Sequence, residues 1–71
     1  MSNSKFLIAI GARIRELRLK KDMTQNELAM ECNFEKASMS RIESGQTNMT
    51  VLTLIKISEA LDIEVKEFFN H

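Results

Sequence analysis

Residues 24–45 read TQNELAMECNFEKASMSRIESG, and the fold is decided there. Thr24 followed three residues later by Glu27 is a capping box, in which each side chain satisfies a free backbone N–H of the other's turn. Leu28, Ala29 and Cys32 give this short helix an inner face. Asn33 ends it, because asparagine tolerates the left-handed backbone of a tight turn. After Asn33-Phe34 a second short helix is predicted over about residues 35–44, with Met39 and Ile42 pointing inward. Gly45 stops it. Its outer face carries Lys36, Ala37, Ser40, Arg41 and Ser44. Two short helices across a turn of three or four residues can present the second one outward. Such a helix fits the major groove of DNA, about 12 Å wide. There lysine and arginine bond guanine, and a small side chain meets a thymine methyl.

Working outward, Phe6, Ile10, Ile14 and Leu17 recur at spacings of three and four and predict a first helix over about residues 4–21. Gln46-Thr47-Asn48 reads as a polar loop. Thr50 caps a fourth helix with Val51, Leu54, Ile57, Ser58 and Leu61 as its inner stripe. Asp62-Ile63-Glu64 then turns the chain into a last helix through Val65, Phe68 and Phe69. Proline is absent, and Leu, Ile, Met, Ala, Glu and Lys are abundant. The expected fold is all-α: a compact five-helix single domain over residues 1–71, its two-helix unit at about 24–45 and a dimerisation part at about 50–70.

Ten Lys and Arg balance ten Asp and Glu. A basic domain is usual for nucleic-acid binding, but the distribution softens this objection. Residues 1–46 hold eight bases against six acids, and residues 47–71 hold two against four. Arg13, Arg15, Arg18, Lys20 and Lys21 form a run that reads first as the solvated face of an amphipathic helix. Met23 and Met39 read as core, and Cys32 as a small buried apolar residue. One cysteine and one histidine (His71) cannot supply a structural zinc site, so no metal or other cofactor is expected. No Ser/His/Asp or Cys/His arrangement, Gly-rich phosphate loop or carboxylate pair points to an enzyme. No small-molecule effector is evident. The apolar run at residues 6–10 is too short for a signal peptide, and nothing approaches the roughly 20 residues that span a bilayer. The expected location is the cytoplasm, without membrane association.

Four segments carry a family resemblance. Ile10-Gly11-Ala12-Arg13-Ile14-Arg15-Glu16-Leu17-Arg18, with Met23-Thr24-Gln25-Asn26-Glu27-Leu28-Ala29, resembles the opening of the Cro/C1-type helix-turn-helix family, the lambda-repressor-like or XRE fold. Ser38-Met39-Ser40-Arg41-Ile42-Glu43-Ser44-Gly45 is similar to the end of that family's recognition helix. Residues 54–63 are similar to its fourth helix. The match runs from about Ile10 to Phe69, and the stand-alone length also resembles restriction-modification controller proteins and small phage repressors. The resemblance implies double-stranded DNA as partner, with Lys36, Ala37, Ser40 and Arg41 facing base edges. Gln25, Ser38, Thr47 and Asn48 would meet the phosphate backbone. Arg18 and Glu43 match a pair that ties the first helix to the third. Glu35 departs from the family's usual Ser, Thr or Asp at the start of the recognition helix. Asn33 stands where glycine is common, Asn48-Met49 where Asn-Pro is common, and Asp62 for glycine or asparagine.

The fourth helix predicts self-association. Leu52 falls outside its inner stripe and Ile55 on its edge. With Phe68-Phe69 they make more apolar surface than one small domain buries, and an exposed patch of that kind marks an interface. Leu52, Ile55, Phe68 and Phe69 are therefore expected in a two-fold homodimer. The functional expectation is a transcriptional regulator binding a palindromic operator with its third helix. The alternative is an antitoxin-like interaction module with a toxin as its partner and autoregulatory DNA binding in a secondary role.

Overall fold

The computed structural model describes residues 3–69, in which four α-helices are followed by one 3₁₀ helix: α1 (Asn3–Lys20), α2 (Gln25–Glu31), α3 (Lys36–Glu43), α4 (Val51–Leu61) and the 3₁₀ helix Val65–Phe69. All four α-helices stop on the same device. Asp22, Asn33, Gly45 and Asp62 take φ of 57°, 61°, 77° and 57° just past the respective helix ends. The next amide reaches back five residues each time: Met23 to the Arg18 carbonyl (3.2 Å), Phe34 to Ala29 (2.8 Å), Gln46 to Arg41 (2.9 Å) and Ile63 to Ser58 (3.0 Å). These are Schellman endings, which satisfy the last helical carbonyls. Asp and Asn serve where glycine would be usual because their short polar side chains tolerate the left-handed region.

Helix starts are equally local. Thr24 and Glu27 form the capping box, the Glu27 amide donating to Thr24 Oγ1 (3.0 Å) and the Thr24 amide to Glu27 Oε1 (2.7 Å). Thr50 Oγ1 accepts from the Thr53 amide (3.1 Å). At α3 the N-cap is Glu35, and its side chain makes no capping hydrogen bond.

The core is one cluster in which Ile10, Ile14 and Leu17 of α1 meet Leu28, Ala29 and Cys32 of α2, Met39 and Ile42 of α3, Leu54, Ile57 and Leu61 of α4, and Phe68. Burial pushes the Cys32 thiol up to about 11, with the Glu31 charge adding to the effect, so at neutral pH it remains a protonated packing group. Met23 packs against this cluster and Met39 lies within it, as their spacing implied.

Four expectations need correction. The fifth helix is a single stretch of 3₁₀ helix rather than an α-helix. Phe68 is fully buried and belongs to the core, not to an outer surface. The cause is Arg13 of α1: its Nε–H donates to the Glu67 carbonyl (2.9 Å) and its guanidinium faces the Glu67 carboxylate (3.5 Å), drawing the 3₁₀ helix inward. Val51 is exposed, because the first turn of α4 precedes the part of the helix whose Leu54, Ile57, Ser58 and Leu61 are covered. Phe6 is exposed as well, since burial on α1 starts at Ile10; its ring stacks on Phe69, centroids 6.2 Å apart. Among the described residues no helix is long and apolar enough to cross a membrane, and no cluster of His, Cys, Asp and Glu could hold a metal. His71 lies outside them.

Candidate nucleic-acid interface

Helix α3 is divided lengthwise by its packing. Met39, Ile42 and Glu43 are buried, while Lys36, Ala37, Ser40 and Arg41 are exposed. The four residues expected at base edges thus lie together on one free face of one helix. Neither Lys36 nor Arg41 pairs with a carboxylate among the described residues, so both cations are available to an anionic partner.

The helix is held at its C-terminal half. Glu43 is buried and receives Arg18 Nε–H at 2.7 Å on one oxygen and the NH2 group at 3.0 Å on the other. The third donor of Arg18 bonds the Met23 carbonyl at 2.8 Å, one residue ahead of the Thr24 cap. A planar guanidinium suits this forked arrangement, in which both buried charges are matched. No buried side-chain polar atom is left without a partner among the described residues. Beside the ion pair, Gly11 of α1 approaches the end of α3 so closely that a Cβ there would lie 2.5 Å from the Ile42 carbonyl oxygen and 2.6 Å from that of Glu43. The signal for this approach in the sequence is the mid-helix position of Gly11, where glycine costs stability.

Gln25 opens α2 beside this pair. Its Nε2 donates to Glu43 Oε1 at 3.1 Å, so a residue expected at a phosphate is oriented by a buried carboxylate. This link had no sequence signature. On the opposite flank of α3, Ser38, Thr47 and Asn48 line a cleft of about 310 Å³ together with Arg41 and Thr53. All three residues expected at the backbone on that side therefore converge, and Thr53 joins them from α4. Lys56 sits over the Phe34 ring, 5.7 Å from its centroid, beneath the turn between α2 and α3. The expected interface residues do not converge in the same way. Leu52 and Ile55 are exposed on α4 and Phe69 is half-exposed at the end of the 3₁₀ helix, whereas Phe68 is lost to the core.

The helix-turn-helix family matches residues 14–68. The chain is 35% identical to control protein C.BamHI of Bacillus amyloliquefaciens over 71 residues, covering 99% of this chain and 86% of that protein. It is 40% identical to the HTH-type transcriptional regulator SlrR of Bacillus subtilis over 62 residues, 86% of this chain but 41% of that longer protein. Among solved structures, the restriction-modification controller protein C.AhdI from Aeromonas hydrophila superimposes with a TM-score of 0.89 at 35% identity. That match covers 92% of this chain and 98% of the other.

Proposed function

The chain belongs to the Cro/C1-type helix-turn-helix family, and on that premise we propose that it is a sequence-specific, double-stranded DNA-binding regulator of transcription that grips a palindromic operator as a homodimer. The observation that carries this reading is the free face of α3, on which Lys36, Ala37, Ser40 and Arg41 stand together with both cations unpaired. An α-helix placed in the major groove offers such side chains to base edges. Gln25 on one flank of α3, with Ser38, Thr47 and Asn48 on the other, supplies contacts to the two bordering strands; phosphate contacts of this kind fix register without reading sequence. The kinship with restriction-modification control proteins supports a regulatory role with no catalytic step.

The proposed dimerisation is supported by α4. Val51, Leu52 and Ile55 are exposed along one edge of that helix. Neighbours on a helix surface at these spacings form a continuous apolar strip, and a two-fold contact would bury the strip of each protomer against the other.

Substitution separates the two kinds of contact. Lys36→Ala and Arg41→Ala are each expected to weaken specific binding by about 1–3 kcal/mol and to relax base preference at particular positions. Gln25→Ala is expected to weaken binding to all sequences alike. Unchanged base preference in both basic variants would overturn α3 as the reading helix.

A further inference from the structure

Helices α2, α3 and α4 each start on an N-cap residue with extended backbone, but only two of the three caps are used. Thr24 and Thr50 hold the amide three residues on through their hydroxyls, at 3.0 and 3.1 Å. Glu35, with φ −73° and ψ 149°, makes no such bond. Its side chain is exposed and forms no ion pair among the described residues, although Lys36 is next in the chain. Residues 35–44 hold two acids, Glu35 and Glu43. Glu43 is buried and matched by Arg18, so Glu35 is the one free negative charge that the α3 segment carries. It stands immediately ahead of Lys36, which opens the free face of the helix.

Duplex DNA carries one negative charge per about 1.7 Å of its axis, and a free carboxylate at the end of a reading helix is repelled by it. The repulsion is offset only where the carboxylate meets a donor, because an ionised carboxyl group accepts hydrogen bonds and donates none. In the major groove guanine and thymine present acceptors, and the donors are the amino groups of cytosine and adenine. On adenine the amino group lies beside N7, an acceptor that faces the same carboxylate. Cytosine presents its amino group without an acceptor of its own beside it. We infer that Glu35 reads a cytosine, accepting a hydrogen bond from the 4-amino group, and so selects that base at one position of the bound site; this rests on the DNA-binding reading above. N-terminal side chains of a recognition helix are the ones that reach base edges. The positive end of the helix also favours a carboxylate at its start, but that attraction is the same for every DNA sequence and yields no base preference. Repulsion from the wrong bases contributes to the selectivity along with the bond to the right one.

The test selects sequences from a random duplex library with wild type, Glu35→Gln, Glu35→Ala and Glu31→Gln. Glu35 is exposed and outside the core, so its variants are expected to fold. Glu31 is an exposed acid of α2, outside residues 35–44, and controls for the loss of a charge. Wild type is expected to enrich a site in which one cytosine depends on residue 35. Glu35→Gln should shift that position to adenine, since an amide bonds adenine through its amino group and N7 together. Glu35→Ala should leave the position without preference, and Glu31→Gln should keep the cytosine. On the wild-type site, thymine in place of that cytosine is expected to weaken wild type on the order of tenfold and Glu35→Ala hardly at all. Both Glu35 variants should bind a random duplex more tightly than wild type, because the repulsion is gone. Pools of Glu35→Gln and Glu35→Ala that match the wild-type pool at every position, or an effect spread evenly over all sequences, would overturn the inference while α3 remained the reading helix. A wild type that enriches no sequence would overturn the DNA-binding reading as well.

Discussion

Gly11 has no side chain where the carbonyl oxygens of Ile42 and Glu43 leave no room for one. The obstacle is backbone rather than the tip of a flexible side chain, so it cannot be relieved by a rotamer change. Gly11→Ala must push α1 and the end of α3 apart, at a cost of ~1–3 kcal/mol from overpacking. That exceeds the helix-propensity gain of about 1 kcal/mol that alanine would otherwise bring. A lowered melting temperature is expected, and an unchanged or raised one would mean that the two helices have slack. Gly45 is constrained in another way: its φ of 77° suits glycine, and Ile8 stands 2.6 Å from the place of its Cβ. The two glycines of the chain thus bring α1 against the end of α3 and the loop that leaves it, which fixes where the free face of α3 points.

At the scale of elements, the join between α1, α2 and α3 depends on Arg18 and Glu43. Removing the carboxylate charge with Glu43→Gln leaves Arg18 buried without its counter-charge, an expected loss of ~3–5 kcal/mol. It also weakens the acceptor that orients Gln25, so the variant should melt lower. An unchanged melting temperature would mean that the two residues contribute nothing beyond solvated charge. Much of this architecture was legible in the residues. The Thr24–Glu27 capping box, the Thr50 cap, the turns at Asn33 and Gly45, and the inner residues of α2 and α3 all follow from local chemistry, and local chemistry is what a sequence displays. Legibility ended where position depends on distant partners. The burial of Phe68 depends on Arg13, at the far end of the chain, and so could not be separated from the exposure of Phe69. Val51 obeys the period of its helix, yet no period says where the covering elements end. The face of Lys36, Ala37, Ser40 and Arg41 was readable because helical spacing and family resemblance agree on it. The Gln25–Glu43 bond was not, because two short helices must first be packed to bring it about.

For the whole molecule, the exposed apolar strip Val51, Leu52 and Ile55 is the proposed interface between two copies. A small domain buries a modest share of its surface, and a second copy adds to what it can bury. Leu52→Glu is expected to give folded monomers by sedimentation, since Leu52 is 64% exposed and lies outside the core. The monomers should bind operator DNA far more weakly, while wild type sediments as a dimer at tens of micromolar. A monomeric wild type at that concentration would remove the strip as an interface. A two-fold dimer of such domains sets two α3 helices roughly 34 Å apart, one turn of DNA, and so reads two inverted half-sites. Selection of bound sequences from a random duplex library tests this most directly. The expected result is an enriched palindrome whose half-site centres lie about 10–10.5 base pairs, or a multiple of that spacing, apart. A pool with no enriched motif, or with one unrepeated half-site, would contradict it.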